Sequence, residues 1–307
     1  MRLIIVGNGF DRQHGLDTTY KDFRAFIENA DIDFLNAFDY MYSHTVSELW
    51  SDLETKLGDI ESDLYAGDLL ELRHLGLSDG DYDAEETVRL HIKKHFTYIN
   101  QIYRYLREWI NTIEGEIDII NPNMRIFTPN VEDVFINFNY TSTLETHYGI
   151  DKSSITYIHG SVLHSEELVL GHGNNMLYDE FLKLTNRYRK MEDTLQDPLL
   201  NTTRATIYAS SAHYVKGTQK DVKLHLQELK YLPLNNVNEV FIIGHSLGDV
   251  DLPYFKYVFD RVGESAEWKI TFYDVKDNQR FRETLMSIGI SEDRIITINS
   301  NNLAEQL

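Results

Sequence analysis

The first residues that could do chemistry lie in a glycine turn near the start of the chain, in the stretch LIIVGNGFDRQHGLDTTYKDF at 3–23. A short apolar run breaks at Gly7, Gly9 and Gly15 and gives way to a polar, helical pattern. The N–H groups of such a strand-to-helix turn are suited to binding a pyrophosphate. The usual dinucleotide fingerprint, G-x-G-x-x-G, is not met, because Arg12 stands where its third glycine belongs. The alternative is a tight turn whose glycines serve backbone geometry alone.

Polar side chains also follow two later strand patterns. Asn139 lies in INFNYTSTLE, and His159 ends the apolar run of YIHGS. Asn139 could position a water or a ribose, and His159 could act as a general base. Each has a structural alternative, Asn139 as the cap of the next helix and His159 as a packing residue. We expect His159 to be an exposed side chain at a strand end, where substitution costs little stability.

A third polar turn, in GHSLGDVDLPYF at 244–255, is similar in spacing to the G-x-S-x-G nucleophile elbow of hydrolases. Hydrolases with this elbow place the acid and then the histidine after the serine, and no histidine follows Ser246 in this sequence. We therefore predict that Ser246 contacts a ribose or a phosphate and is not a nucleophile. Gly244 and Asp249 belong to the same predicted ligand-binding turn.

Strand and helix patterns alternate along the chain, which predicts a parallel α/β sheet with helices on both faces. Strand patterns occur at 2–6, 133–140, 155–161, 168–174, 239–251, 268–275 and 294–300. Helical patterns occur from Thr18 or Thr19 to about Asn29, at about 31–115 with the clearest periodicity at 91–113, and at 178–231. We expect one domain over 1–307, with a helical insertion at about 31–115. Ligands of such sheets bind at the carboxyl ends of the strands, where the polar residues above are expected.

The overall charge excludes some classes of partner. The chain has 29 basic and 49 acidic residues, for a net charge of −20, so we expect no binding to nucleic acid or to anionic lipid and no nuclease activity. It contains no cysteine, which removes disulfides, thiol nucleophiles and cysteine-ligated zinc. We find no apolar run long enough for a signal peptide or a membrane span and expect a cytoplasmic protein without a metal.

The order and spacing of these motifs resemble the sirtuin-like family, whose pattern is G-A-G-x-S-x-x-x-G-x-P, then N-x-D, H-G and G-[T/Y]-S-L. The segment KDFR at 21–24 also resembles that family's D-F-R. The resemblance implies a sirtuin-like, Rossmann-type fold that binds NAD, with Asn139 and His159 as catalytic residues. It implies cofactor-binding roles for Gly7, Asn8, Gly9, Asp11, Gly15, Arg24, Gly244, Ser246 and Asp249.

Three positions depart from the sirtuin-like pattern. Asp11 replaces its serine, Asp17 its proline and Thr141 the aspartate of N-x-D. Asp11 would repel a pyrophosphate unless Arg12, Arg24 or a metal compensates its charge. The lack of cysteine rules out the zinc module of protein-deacetylating sirtuins, which leaves NAD hydrolysis or the binding of a related nucleotide.

Five motifs in order, IVGNGFDRQHGLDTTYKDF, NFNYTSTLE, YIHG, LVLGHGN and IIGHSLGDVDLPYF, are similar to those of the AbiH family of phage abortive-infection proteins. This resemblance implies anti-phage defence in the bacterial cytoplasm. The leading hypothesis is an enzyme that hydrolyses NAD at the nicotinamide glycosidic bond. The alternative is a non-catalytic sensor that binds a small nucleotide in the same cleft. A homo-oligomer or a partner protein of a defence system is compatible with both.

Overall fold

The computed structural model describes residues 1–42, 45–60, 82–173, 176–191 and 198–302 of the chain. The described residues form one all-parallel sheet of six strands in the order β3-β2-β1-β4-β5-β6. The strands are β1 (Arg2–Val6), β2 (Val134–Asn137), β3 (Ile155–Tyr157), β4 (Glu239–Ile243), β5 (Glu267–Phe272) and β6 (Ile295–Asn299). The chain builds outward from β1 to β3 and then returns to the other side of β1, so the strand order reverses between β1 and β4.

The alternation of side chains along the strands explains why the sheet is buried on both faces. Leu3 and Ile5 of β1 belong to one buried apolar cluster, whereas Ile4 and Val6 belong to another. The central strand β4 divides its side chains between the same two clusters. A parallel sheet with two apolar faces must be covered by helices on each.

Helices flank the sheet, which confirms the predicted parallel α/β architecture. The described α-helices are α1 (Asn8–Gln13), α2 (Tyr20–Ala30), α3 (Ile32–Tyr40), α4 (Val46–Leu49), α5 (Leu53–Lys56), α6 (Tyr82–Ile99), α7 (Ile102–Ile117), α8 (Thr143–Thr146), α9 (Leu177–Met191), α10 (Pro198–Gly217), α11 (Val222–His225), α12 (Leu252–Phe259) and α13 (Val275–Ser287). Helices α12 and α13 contribute Phe255 and Leu285 to one cluster, and α1 and α8 contribute Phe10 and Leu144 to the other.

The chain divides into two compact units. The first consists of Met1–Thr19, Arg107–Val169 and Asp221–Leu307 and contains the whole sheet. The second consists of Tyr20–Leu106 and Leu170–Lys220. Most of the predicted insertion at about 31–115 falls in the second unit, and its residues 43–44 and 61–81 lie outside the described part of the chain.

Aromatic side chains form much of the core of the second unit. The rings of Phe34 and Tyr105 lie 4.6 Å apart, and those of Phe38 and Tyr42 lie 5.3 Å apart. The buried hydroxyls of Tyr42 and Tyr214 share a hydrogen bond of 2.9 Å. Hydrogen bonding of this kind lets a phenol lie deep in an apolar core. No helix in the described part of the chain has the length and apolar character to cross a bilayer.

The strand predicted at 168–174 is wrong for the described residues 168–173. No regular element covers 168–171, and His172 makes only an isolated bridge with Gln219. Leu168 and Leu170 are buried, which accounts for the apolar pattern. The backbone of the intervening Val169, however, forms its hydrogen bonds with residues outside any strand. Its N–H donates to the His159 carbonyl, and its own carbonyl accepts from the Tyr140 hydroxyl.

The strands predicted at 133–140, 155–161 and 239–251 end earlier than their patterns, at Asn137, Tyr157 and Ile243, and one predicted helix is interrupted. The helical pattern at 91–113 is broken at Asn100 and Gln101, between α6 and α7. The Gln101 N–H donates to the Tyr98 carbonyl, three residues back, which tightens the chain at the break. The strand in 239–251 stops at Ile243, because Gly244 has a φ of +65° and turns the chain.

Candidate functional site

Backbone packing between the loops after β1 and β4 accounts for three of the glycines. The Gly9 N–H donates to the Gly244 carbonyl at 2.7 Å, and the Gly7 N–H donates to the Ile243 carbonyl at 3.0 Å. A Cβ added to Gly9 would lie 2.7 Å from the Gly244 Cα, and one added to Gly244 would lie 2.2 Å from the Phe10 nitrogen. The two loops therefore approach too closely for any side chain, at the point where the strand order reverses.

Two other residues of the predicted NAD loop, Asn8 and Gly15, lie at the start of α1 and just after its end. Asn8 is exposed, and its Oδ1 accepts a hydrogen bond from the Thr18 hydroxyl. Gly15 ends the helical segment with a φ of +81°, and a Cβ there would meet open space. Gly15 is thus required for its backbone conformation. The binding of a pyrophosphate by this loop remains a prediction.

Asp11 is a buried carboxylate that accepts hydrogen bonds from residues that follow β2. Its oxygens accept hydrogen bonds from the hydroxyls of Thr141, at 2.6 Å, and Thr143, at 2.8 Å. Burial raises the pKa of Asp11 from 3.8 to about 6, although these hydroxyls oppose the shift. Asp11 and Thr141 are two of the departures from the sirtuin-like pattern, and the structure places them in direct contact. Relative to that pattern, the hydroxyl and the carboxylate have exchanged positions between the two loops.

Asn139 connects the loops after β1 and β2. Its Nδ2 donates to the Gly7 carbonyl at 3.1 Å, and its backbone N–H donates to the Asn137 Oδ1 at 2.8 Å. The Nδ2 of Asn137 donates in turn to the Thr141 carbonyl at 3.1 Å. Each amide thus satisfies buried backbone groups at a turn, where unpaired groups would be costly. Asn139 lies beside Gly7, as expected of residues that follow adjacent parallel strands.

A carboxylate lies between two histidines at the same edge of the sheet. The Nε2 of His159, after β3, lies 3.6 Å from the Asp251 Oδ1. The Nε2 of His245, after β4, lies 3.5 Å from the Asp251 Oδ2. Asp251 immediately precedes α12, and all three side chains are buried. We call these three residues the His159–Asp251–His245 group.

The surroundings of His245 determine which nitrogen of its neutral ring is protonated. Its Nδ1 accepts a hydrogen bond of 2.9 Å from the Leu247 N–H, so the proton of the neutral ring is on Nε2, which faces Asp251. Leu247 has a φ of +55°, a strained value for this residue type. The strained turn therefore positions the His245 ring against the carboxylate.

Aromatic rings enclose the His159–Asp251–His245 group. The Phe138 ring contacts those of His159 and His245 edge-on, with centroid distances of 5.4 and 4.4 Å. It also stacks on Phe255 of α12. The expectation of an exposed His159 is wrong, because only 4% of its surface is accessible. Substitution of His159 will therefore cost more stability than it would at an exposed position.

Ser246 and Asp249, both predicted to bind a ligand, are exposed. The Ser246 carbonyl accepts from the Arg280 guanidinium at 2.9 Å, and within the described residues its hydroxyl makes no hydrogen bond to a histidine. A nucleophile elbow needs a sharp strand-to-helix turn, whereas here β4 ends at Ile243 and α12 begins at Leu252. Arg24 belongs to the second unit, where its guanidinium donates to Asp39 at 2.9 Å.

Sequence reasoning identified His159 but missed His245 and Asp251. All three lie in quoted motifs, and the signal for Asp251 is its place two residues before the proline of DVDLP, at the start of α12. The pattern favoured Asp249 instead. Only the path of the chain from Gly244 to α12 decides which of the two aspartates is turned inward.

The arrangement places the rings of two buried histidines beside a buried carboxylate. A histidine oriented by a carboxylate is a common general base, because the carboxylate fixes the ring and favours its protonated form. Asp11 provides a second buried carboxyl group, with a pKa raised to about 6. The edge thus offers groups for proton transfer, together with negative charge that favours a cationic transition state.

The fold and this edge place the chain among the parallel α/β proteins, whose ligands bind at the carboxyl ends of the strands. The family model of the bacteriophage abortive infection protein AbiH matches residues 3–272, so the chain belongs to the AbiH family. Comparisons with curated proteins and with solved structures gave no match. The family places this protein in abortive-infection defence against phage.

Proposed function

We propose that this AbiH protein acts in defence by hydrolysing NAD at the bond between nicotinamide and ribose. The observation that carries the proposal is the His159–Asp251–His245 group at the carboxyl edge of the sheet. The strand order supports it, since 3-2-1-4-5-6 is the order of doubly wound folds that bind dinucleotides beside the point of reversal. The sirtuin-like spacing of the motifs is a second, weaker support.

In the proposed reaction, water attacks C1′ of the nicotinamide ribose as the C1′–N bond breaks. The electron pair of that bond leaves with the pyridinium nitrogen, so nicotinamide departs as a neutral molecule and ADP-ribose forms. His159 accepts the proton of the attacking water and later releases it to solvent. Asp251 holds the His159 ring in position, and Asn139 orients the ribose or the water.

One observation favours the second candidate, a sensor that binds a nucleotide without cleaving it. The amide of Asn139, a proposed catalytic group, already donates to the Gly7 carbonyl and joins the loops after β1 and β2. Groups engaged in this way stabilise the edge and contribute less to a reaction. A sensor would bind its nucleotide at the same edge of the sheet and would need no general base.

The deciding experiment incubates the purified full chain with NAD and measures free nicotinamide by chromatography, with binding followed by calorimetry. His159→Gln preserves side-chain bulk and should reduce the rate by about 10²–10⁴-fold, and Asp251→Asn should also reduce it strongly. His225→Gln removes a partly buried histidine of α11 and is the matched control. Thermal melts of each variant establish that it is folded.

Each outcome separates the candidates. Nicotinamide release that depends on His159 and Asp251 supports the hydrolase. Binding of NAD without release favours the sensor and contradicts the hydrolase. Loss of turnover in Ser246→Ala but not in His159→Gln would contradict the sirtuin-like assignment and favour a serine nucleophile. A folded protein that neither binds nor cleaves NAD overturns the hydrolase and a sensor of NAD.

A further inference from the structure

The second unit contains a cavity of about 620 Å³ that the proposed function does not use. Its walls come from α6, α9 and α10 and from Asn100, next to α6. Pockets for small ligands typically have volumes of about 300–1,000 Å³. The cavity therefore has the capacity for a small organic molecule.

Three helices each contribute a basic side chain to this cavity: Lys93 from α6, Arg189 from α9 and His213 from α10. Among the described residues, no aspartate or glutamate lines it. Within the same part of the chain, the side chains of Lys93 and Arg189 form no ion pair. In a protein with a net charge of −20, two exposed cations that form no ion pair with the described residues give this wall a local positive charge, which attracts anions.

The rest of the lining is apolar on one part and neutral polar on another. The buried Phe96 and the small side chains of Ala205 and Ala209 supply the apolar part of the lining. Asn100 supplies an amide, and Ser210 supplies a hydroxyl. An inorganic anion would leave the apolar part unoccupied, so this lining fits an anion that carries an organic group.

We propose that this cavity binds an organic phosphate of mononucleotide size. Arg189 and Lys93 bind the phosphate, the first through its planar fork and the second as a compact charge. Phe96 and the two alanines contact the apolar part of the ligand. The proposal is independent of NAD hydrolysis, because every residue that it uses belongs to the second unit.

The test measures binding of AMP, adenosine and inorganic phosphate to the full chain by calorimetry. Arg189→Gln and Lys93→Gln should each weaken AMP binding by about tenfold to a hundredfold, the usual effect of removing a hydrogen bond to a charged group. Arg187→Gln is the matched control, because Arg187 is an exposed arginine of the same helix that does not line the cavity. Ala209→Phe narrows the cavity without changing charge and should also reduce binding.

The proposal is supported if AMP binds more tightly than adenosine and phosphate, if both charge variants and Ala209→Phe weaken it, and if Arg187→Gln does not. It is overturned if AMP does not bind, or if adenosine binds as well as AMP. It is also overturned if AMP binding is unchanged by Arg189→Gln or is lost in His159→Gln, since the latter would place AMP at the sheet edge. A melting temperature close to that of the wild type shows that each variant is folded.

Discussion

Replacing Asp11 by asparagine should make this protein more stable at neutral pH. Asp11 is almost completely buried, and its hydrogen-bond partners, the hydroxyls of Thr141 and Thr143 and the amide of Asn139, are all neutral. Its pKa of about 6, against 3.8 for an ordinary aspartate, means that burial opposes ionisation. Asparagine has nearly the same shape and carries no charge, and each hydroxyl can donate or accept a hydrogen bond.

The size of the effect follows from the shift in pKa. Between pH 3.8 and about 6, the folded chain keeps a proton on Asp11 that the unfolded chain has lost, so stability falls as the pH rises. A shift of about 2 pKa units corresponds to about 3 kcal/mol at pH 7. Near pH 4 the same relation leaves only about 0.5 kcal/mol. The advantage of Asp11→Asn should therefore develop between pH 4 and pH 6.

Urea unfolding followed by circular dichroism at pH 4 and pH 7 measures this difference directly. Thermal melts at pH 7 should show an increase of about 5–10 °C in the melting temperature of the unit that contains the sheet. Asp249→Asn is the matched control, because Asp249 is exposed and its substitution should change neither value appreciably.

The reasoning is refuted if Asp11→Asn is as stable as the wild type, or less stable, at pH 7. It is also refuted if the gain is the same at pH 4 and pH 7, because a gain independent of pH cannot come from removal of a buried charge. A gain of similar size in Asp249→Asn would point to the net charge of the chain as the cause.

Four further substitutions test the packing of the first unit. Gly244→Ala should lower the free energy of unfolding in urea by roughly 3 kcal/mol or more, because the φ of +65° and the adjacent backbone exclude a Cβ. Gly115→Ala is its control: a Cβ at this position on α7 would meet open space, so the protein should become more stable by about 0.5–1 kcal/mol. Burial lowers the pKa of His14 from 6.5 to about 4, so between these pH values the unfolded chain binds a proton that the folded chain does not. His14→Phe should therefore reduce the loss of stability between pH 6.5 and pH 4 by about 1.4 kcal/mol per pH unit. An unchanged dependence of stability on pH would contradict this. Asp133→Ala should lower the free energy of unfolding by about 2–3 kcal/mol, because the buried Asp133 carboxylate accepts hydrogen bonds from the Arg2 guanidinium at 2.5 and 3.1 Å. A loss below about 1 kcal/mol would show that this pair contributes little to stability.

Local patterns in the sequence located the six strands of the sheet and identified the family. The apolar runs that became β1 and β4 alternate their side chains between two buried faces, and the glycines and polar residues that end them mark where the strands stop. Such features depend on neighbours along the chain, so they can be predicted without knowing the fold. The five ordered motifs likewise identified the AbiH family, which the family match across 3–272 confirms.

Local patterns failed where burial did not come from a strand. The apolar residues Leu168 and Leu170 suggested a seventh strand. They are buried, but the backbone N–H of Val169 between them donates its hydrogen bond to the carbonyl of His159, which is not in a strand. Likewise, the continuous periodicity of 91–113 gave no sign of the break at Asn100 and Gln101. The periodicity of apolar residues indicates which side chains are buried. It does not indicate which groups the backbone forms hydrogen bonds with.

The tertiary structure alone decided which residues meet at the carboxyl edge. Asp11 and Thr141 are 130 positions apart in sequence, and as isolated departures from a pattern they could not be explained. His159 and Asp251 come from different motifs, and the choice of Asp251 over Asp249 depends on how the chain turns after Gly244. Sequence by itself determined that polar side chains would follow the strands. The order of the strands and the conformations of the loops determined which of them lie within a few ångströms of one another, because such contacts depend on distances through space that no local pattern encodes.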